Sequence, residues 1–329
     1  MAKKQTILLT ILGALVIVMI SAYLVWFAPK DFQAENQTLF AVERDDTIAD
    51  IVANLSDQGF IRSTFGTQVA FKLNRTGVVQ FGTYNVSPRM DAWQIAYIIV
   101  HNQTATARVT IPEGYTTNQI AELLEKKNII MATDFLKAAD NFPPDFTFLT
   151  SRPDNSLEGY LFPDTYNMNQ GTPVRDLLVQ LLDNFKQRIA TVDTQLKSSK
   201  YTLHQIVTLA SLIEKEARTD PSRKMVAGIL INRLKKGMRL DVDATVRYIT
   251  ENWTRPITQA DLNINSPYNT RKVAGLPPGP ICNPGLASIQ AVLSPAASDY
   301  LYYLTDPEGV IYYAKTLDEH NANKAKYLQ

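Results

Sequence analysis

The sequence predicts a mixed α+β protein built as a single N-terminal transmembrane helix, a module of repeated βα units, and a second mixed α+β domain. Three observations predict this. An uncharged apolar run occupies residues 7–27. A strand–turn–helix pattern beginning at Leu39 returns at Arg108. A broad apolar helix, Tyr201 to Pro221, precedes a long proline-rich loop.

The run ILLTILGALVIVMISAYLVWF (7–27) matches the roughly 20 apolar residues that cross a bilayer core. Lys3 and Lys4 precede it, so the positive-inside rule predicts a cytoplasmic tail at 1–6 and everything beyond Lys30 outside. Tyr23 and Trp26 fall where an interfacial belt lies. A cleaved signal peptide has a shorter apolar core and a small-x-small site, which Ile20-Ser21-Ala22 matches poorly, so a retained anchor is favoured. Residues 28–38 then read as a linker.

Leu39-Phe40-Ala41-Val42 leads through Arg44-Asp45-Asp46-Thr47 into IADIVANLSDQGFI. Arg108 to Ile111 leads through Pro112 to Thr116 into NQIAELLEKKNII, and Gly82 to Val86 opens a looser third copy ending in Asp91 to Ala96. Each is a short β-rich run, a polar turn and an amphipathic helix. The pattern predicts a small α+β module at 39–140, its helices packed on one sheet. It serves either as a spacer or as a carbohydrate-binding unit using Tyr84, Trp93 or Tyr115. Proline and turn residues at 141–155 mark a second linker, leaving 156–329 as the larger domain.

Within it, Leu157 to Tyr166 reads as a structured loop carrying Glu158 and Asp164, and Val174 to Ile189 as a helix. The next helix starts at a capping box, Thr202 with Gln205, and closes before Asp220-Pro221. Asp220 is the expected N-cap of a further helix ending at Gly237. Asn263 to Gly285 is a loop stiffened by prolines, read as an ordered wall of a cleft. A helix (Leu286 to Leu293), a strand (Tyr300 to Leu304), a Pro-Glu-Gly hairpin with a second strand, and a C-terminal helix complete the chain.

Composition excludes several functions. With 33 basic and 32 acidic residues the net charge is +1, so no basic face points to nucleic acid. One cysteine, Cys282, excludes a thiolate cluster, and His101, His204 and His320 lack metal-ligand spacing. No metal or cofactor is expected.

The chemistry concentrates in the helix 201–221. Its apolar positions cover more than half the circumference, so the helix is mostly buried. Glu214 and Glu216 fall in that sector but face nearly opposite ways. Apolar neighbours and the helix C-terminus both disfavour a carboxylate, so each pKa should rise. An acid protonated near neutrality is what general acid catalysis needs. The alternative is that both pair with Lys215, Arg218 or a neighbouring helix.

Five motifs in order resemble the YceG-like family, the MltG-type endolytic murein transglycosylases: EGYLFPDTY (158–166), LASLIEKEA (209–217), INRLKKGMRLDVDATV (231–246), SPYNTRKVAGLPPGPICNPG (266–285) and EHN (319–321). The resemblance runs from the anchor through LysM-like βα repeats to the last helix. It implies a catalytic domain at 156–329 that cleaves MurNAc–GlcNAc bonds within glycan strands, leaving 1,6-anhydro-MurNAc ends. Glu216 matches the family's catalytic acid. Glu158, Asp243, Tyr268, Asn269 and Thr270 match its cleft motifs and are expected to bind sugar hydroxyls or orient Glu216. Implied partners are peptidoglycan strands, the bilayer and peptidoglycan synthases, with strand elongation terminated at a bacterial cytoplasmic membrane. The chain departs from the pattern at Asp243-Ala244-Thr245, where Asp-Pro-Thr is usual, and at Ile311, where a histidine is usual.

Two other readings remain at the level of sequence. One is a non-catalytic murein-binding scaffold that recruits synthases. The other is a hydrolase pairing Glu216 with Asp241 or Asp243 and water.

Overall fold

The computed structural model describes residues 2–34, 36–43, 46–74, 79, 82–101, 106–143, 145–150, 152–169 and 172–328. Met1 of the expected tail, Arg44 and Asp45 of the first repeat turn, and Pro144 and Ser151 of the second expected linker lie outside the described residues. The chain is α+β and divides into two compact units, Met1–Arg108 with Asn167–Thr172, and Val109–Tyr166 with Pro173–Gln329.

Unit 1 begins with α1 (Ala2–Trp26), whose segment Leu9–Trp26 is long and apolar enough to cross a membrane. β1 (Thr38–Val42), α2 (Ile48–Asp57), α3 (Thr64–Leu73), β2 (Gly82–Val86) and α4 (Ala92–Val100) follow. Side-chain oxygens of Thr47, Ser63 and Asp91 cap the three helices, each accepting from the backbone N–H three residues on. β1 and β2 pair antiparallel with Phe40 opposite Tyr84, and both side chains point inward. Phe40, Val42, Tyr84 and Val86 pack on Ile51, Leu55, Phe71, Ile95 and Ile99 to form the core of this unit. Two expectations are corrected here. Tyr84 is fully buried in that core and offers no face to a sugar. The repeat pattern does not predict α3, which Ser63 caps and Ala70 and Phe71 anchor.

β3 (Thr106–Thr110) and β4 (Thr165–Asn169) pair, and both strands pass from one unit into the other. The single sheet expected for the repeats is absent among the described residues: β1–β2, β3–β4 and β5–β6 are separate two-stranded ribbons.

Unit 2 contains α5 (Thr117–Lys126), α6 (Ala132–Asp140), α7 (Val174–Ala190), α8 (Asp193–Ser198), α9 (Leu203–Glu216), α10 (Asp220–Lys235), α11 (Asp243–Thr250), α12 (Gln259–Leu262), α13 (Leu286–Leu293), β5 (Tyr302–Thr305), β6 (Ile311–Ala314) and α14 (Leu317–Tyr327). α9 runs through its centre, packed by α10, α11 and α13. Ile206 to Ile213 are all buried, as the broad apolar stripe requires.

The contacts divide the chain at Val109, whereas sequence placed the division at 141–155. Gly114 N–H donates to Asn283 O and Asn283 N–H to Tyr115 O, so the turn before α5 is tied to the end of the long loop. The helix boundaries also shift. α9 stops at Ala217, which is extended, and Thr219 rather than Asp220 caps α10, leaving Pro221 in its first turn.

Candidate active site

The capping box at Thr202 and Gln205 forms as expected and sets the start of α9. From there the helical period delivers Glu214 and Glu216 to different sides of its last turn. Glu214 Oε2 accepts from Gly285 N–H (3.0 Å) and Ser288 Oγ (2.7 Å) at the start of α13, and Arg223 lies 3.5 Å from its other oxygen. This carboxylate caps one helix and binds the guanidinium of another, which is a structural arrangement.

Glu216 faces β5 and α11. Its Oε2 accepts a 3.0 Å hydrogen bond from the Tyr303 hydroxyl. Burial pushes the pKa up to about 7, with the charge of Asp243 adding to the rise. Tyr303, Arg271 and the backbone N–H of Ala244 oppose that rise without cancelling it. A proline at 244 would carry no N–H, so it is the alanine found here that lets the backbone supply this donor. The side chain keeps part of its surface in a groove of about 710 Å³ lined by Ala217, Thr219, Met225, Asp306, Ile311 and Tyr313 among others. It is neither in bulk water nor sealed away.

The remaining expected site residues divide. Asp243 begins α11 half-exposed, held by Arg271 Nε at 2.6 Å. Glu158 and Tyr268 line a second hollow of about 500 Å³, together with Tyr248 and Trp253. Glu158 is buried and accepts from Thr117 N–H (3.1 Å) and Asn283 Nδ2 (3.0 Å). Burial raises its pKa to about 7 despite those donors. Lys215 lines the first groove, and its Nζ lies 3.8 Å over the Trp253 ring in the wall of the second.

The structure places Asn269 and Thr270, expected to bind sugar hydroxyls or orient Glu216, as braces within the loop. Both are fully buried. Asn269 Nδ2 donates to Leu262 O and Ile264 O, and Thr270 Oγ1 accepts from Val242 N–H, so neither side chain has a face left for substrate. Thr270 fixes the loop against the stretch before α11, and Asn269 fixes it against the end of α12. The loop 263–285 is indeed an ordered wall: Ile281 N–H donates to Ser211 Oγ of α9 at 3.0 Å.

Two residues escaped the sequence reading. Tyr303 sat in a recognised tyrosine-rich strand, but which tyrosine reaches α9 is set by the β5–β6 register, Tyr303 opposite Tyr313. Asn283 bridges Tyr115 O, Leu161 N–H and Glu158 at once, and only its place between proline and cysteine hinted at a fixed role.

Comparison with known proteins decides the family. The YceG-like family model matches residues 40–326. The chain belongs to the YceG-like family. Among relatives of this family member is an endolytic murein transglycosylase of Bacillus subtilis, 32% identical over 91% of this chain and 87% of that protein. Another, of the same name, from Streptococcus pneumoniae is 28% identical, and the match spans 60% of its length. A crystal structure of a yceG-like protein from Listeria monocytogenes superposes with a TM-score of 0.60 at 34% identity, covering 87% of this chain and 99% of that one.

Proposed function

We propose that this protein is a membrane-anchored endolytic lytic transglycosylase acting on peptidoglycan. It cleaves MurNAc–GlcNAc bonds within glycan strands and leaves 1,6-anhydro-MurNAc ends. The observation that carries the reading is Glu216, an acid with a pKa near 7 at the wall of an open groove and bonded to Tyr303. Endolytic murein transglycosylase is also the name of the relatives that align over nine-tenths of the chain.

One acid suffices when the nucleophile belongs to the substrate. Protonated Glu216 gives its proton to the glycosidic oxygen as the bond from C1 to that oxygen breaks. The C6 hydroxyl of the same sugar closes on C1, and its proton passes to the Glu216 carboxylate, which restores the acid. Tethering gives that hydroxyl a large effective molarity, so no second carboxylate is needed to activate water. The Tyr303 hydroxyl stabilises the carboxylate formed midway. Asp241 and Asp243, the partners a hydrolase would use, are each engaged by an arginine, Arg233 and Arg271.

Glu158 and Tyr268 would line the strand's path in the second hollow, and Asp243 would orient Glu216 electrostatically. The order β1-α2-α3-β2, with β1 and β2 antiparallel, supports a LysM-like module in unit 1. α1 would anchor the chain as a single pass, N-terminus cytoplasmic, and cleavage near synthases would end nascent strands.

The test is digestion of purified glycan strands by the full chain, with fragments weighed by mass spectrometry. Anhydro ends are expected. Reducing ends would convert the reading to hydrolase, and intact strands would leave a murein-binding scaffold.

A further inference from the structure

The apolar helix of unit 1 does not simply trail from a folded module. Tyr23 Oη donates to Asp91 Oδ2 at 3.0 Å, and Ala92 N–H donates to Phe27 O at 2.9 Å, so the end of α1 is fastened to the start of α4. The Phe27 ring stacks on Trp93 at 5.4 Å. Gly66 of α3 backs so closely on the Trp26 carbonyl that a Cβ there would lie 1.9 Å from the oxygen. The stretch expected to be a free linker is tied down as well, by Asp31 N–H to Pro88 O and Arg62 Nε to Pro29 O.

An apolar face starts at this junction. Trp26 meets Phe65 edge-on at 5.6 Å. Phe65, Val69 and Leu73 recur every fourth residue along α3 and so share one side of it. Phe65 is 58% and Leu73 68% exposed. Trp93, Tyr97 and Ile98 of α4, with Asn74 and Gln94, line an apolar hollow of about 310 Å³. Monomeric soluble surfaces rarely carry contiguous apolar faces without a partner.

Depth identifies the partner. When Leu9–Trp26 crosses a bilayer, Trp26 lies in the interfacial layer at the far end, where aromatic rings are favoured. A ring touching Trp26 shares that depth. Arg62 donates to Pro29 O, three residues beyond Trp26, and brings a cation to that end of α1, where lipid phosphates would lie.

We propose that the α3–α4 face of unit 1 is seated in the interfacial layer of the same bilayer that α1 crosses. Phe65, Leu73 and Tyr97 enter the headgroup region, and anchor and module form one rigid membrane-seated piece. This rests on reading α1 as a membrane anchor.

The experiment uses the full chain in vesicles of phosphatidylcholine and phosphatidylglycerol. Single cysteines (Leu15→Cys in α1, Phe65→Cys and Tyr97→Cys on the face, Asn85→Cys on the outer side of the β1–β2 ribbon) carry a fluorophore. Native Cys282 is fully buried and does not compete for the label. Lipids spin-labelled at the headgroup or mid-chain then quench. The expected result is mid-chain quenching at 15, and headgroup quenching at 65 and 97 at least threefold stronger than at 85. Quenching at 15 with 65 and 97 no different from 85 overturns the seating and leaves the anchor intact. No quenching at 15 overturns both. Self-quenching at 65 that grows with the protein-to-lipid ratio, without lipid quenching, assigns the face to a second copy and overturns the proposal. Gly66→Leu, which forces α3 off Trp26, should lower quenching at 65 and leave that at 15 unchanged.

Discussion

The Tyr303 hydroxyl donates to Glu216 Oε2 across 3.0 Å, joining a hairpin strand to the end of the central helix. That bond favours the ionised acid, while burial favours the neutral one, and burial is the larger effect. The balance leaves Glu216 poised near pH 7. Activity that needs the protonated acid should therefore fall as pH rises through about 7. Tyr303→Phe removes a donor to the carboxylate, so the alkaline limb should move to higher pH while the rate below pH 7 drops about 10- to 100-fold. A pH–rate profile of kcat for both proteins checks this; an unmoved limb would remove Tyr303 from the mechanism.

Ala244→Pro tests the same balance from the other side. It deletes the backbone N–H that faces Glu216 and should shift the alkaline limb upward by less than Tyr303→Phe does. The profile of the variant, compared with wild type in one buffer series, is the measurement.

Glu214 and Glu216 should separate cleanly on substitution. Glu216→Gln keeps the shape and loses the proton donor, so cleavage should fall at least about 1000-fold with the domain still folded. Glu214→Gln weakens the acceptor for Gly285 and Ser288 and leaves Arg223, whose Nε has no partner among the described residues, with less compensation. A loss of about 1–3 kcal/mol is expected, with activity per folded molecule within tenfold of wild type. Chemical denaturation and product assays together decide.

Glu158 makes stability depend on pH. Its pKa is about 7 when folded, against 4.5 for an unperturbed glutamate. Below pH 4.5 both states hold the proton; between 4.5 and 7 the folded state holds more, so stability falls with rising pH. The loss from this group should approach about 3 kcal/mol above pH 7, at about 1.4 kcal/mol per pKa unit. Glu158→Gln should remove this group's share of the slope, leaving the share of Glu216, and raise stability at pH 8 relative to wild type. Urea midpoints at pH 5 and pH 8 measure it, and an unchanged slope would refute the assignment.

Gly159 follows Glu158 at φ +90, and a Cβ there would stand 2.5 Å from Pro280 and 2.8 Å from Val207. Gly159→Ala combines an unfavourable backbone region with a clash against a proline ring and α9. It should cost about 3 kcal/mol or more, seen as a lowered unfolding midpoint.

Sequence by itself determined what repeats over a few residues. The apolar run of α1, the capping box that starts α9 and the opposite facing of Glu214 and Glu216 are all local patterns, since helical period and caps are set within a turn or two. What only the tertiary structure decided depends on parts distant in the chain. Tyr303 lies 87 positions from Glu216, and Asn283 lies 168 from Tyr115. The same holds for Thr270, offered by sequence as a sugar-binding or Glu216-orienting residue, whose hydroxyl accepts from Val242 N–H 28 positions away. No spacing encodes these partners, because buried polar groups pair with whichever donor or acceptor the chain path brings within reach. The period of a helix tells which way a glutamate faces; the packing of other elements tells what waits there.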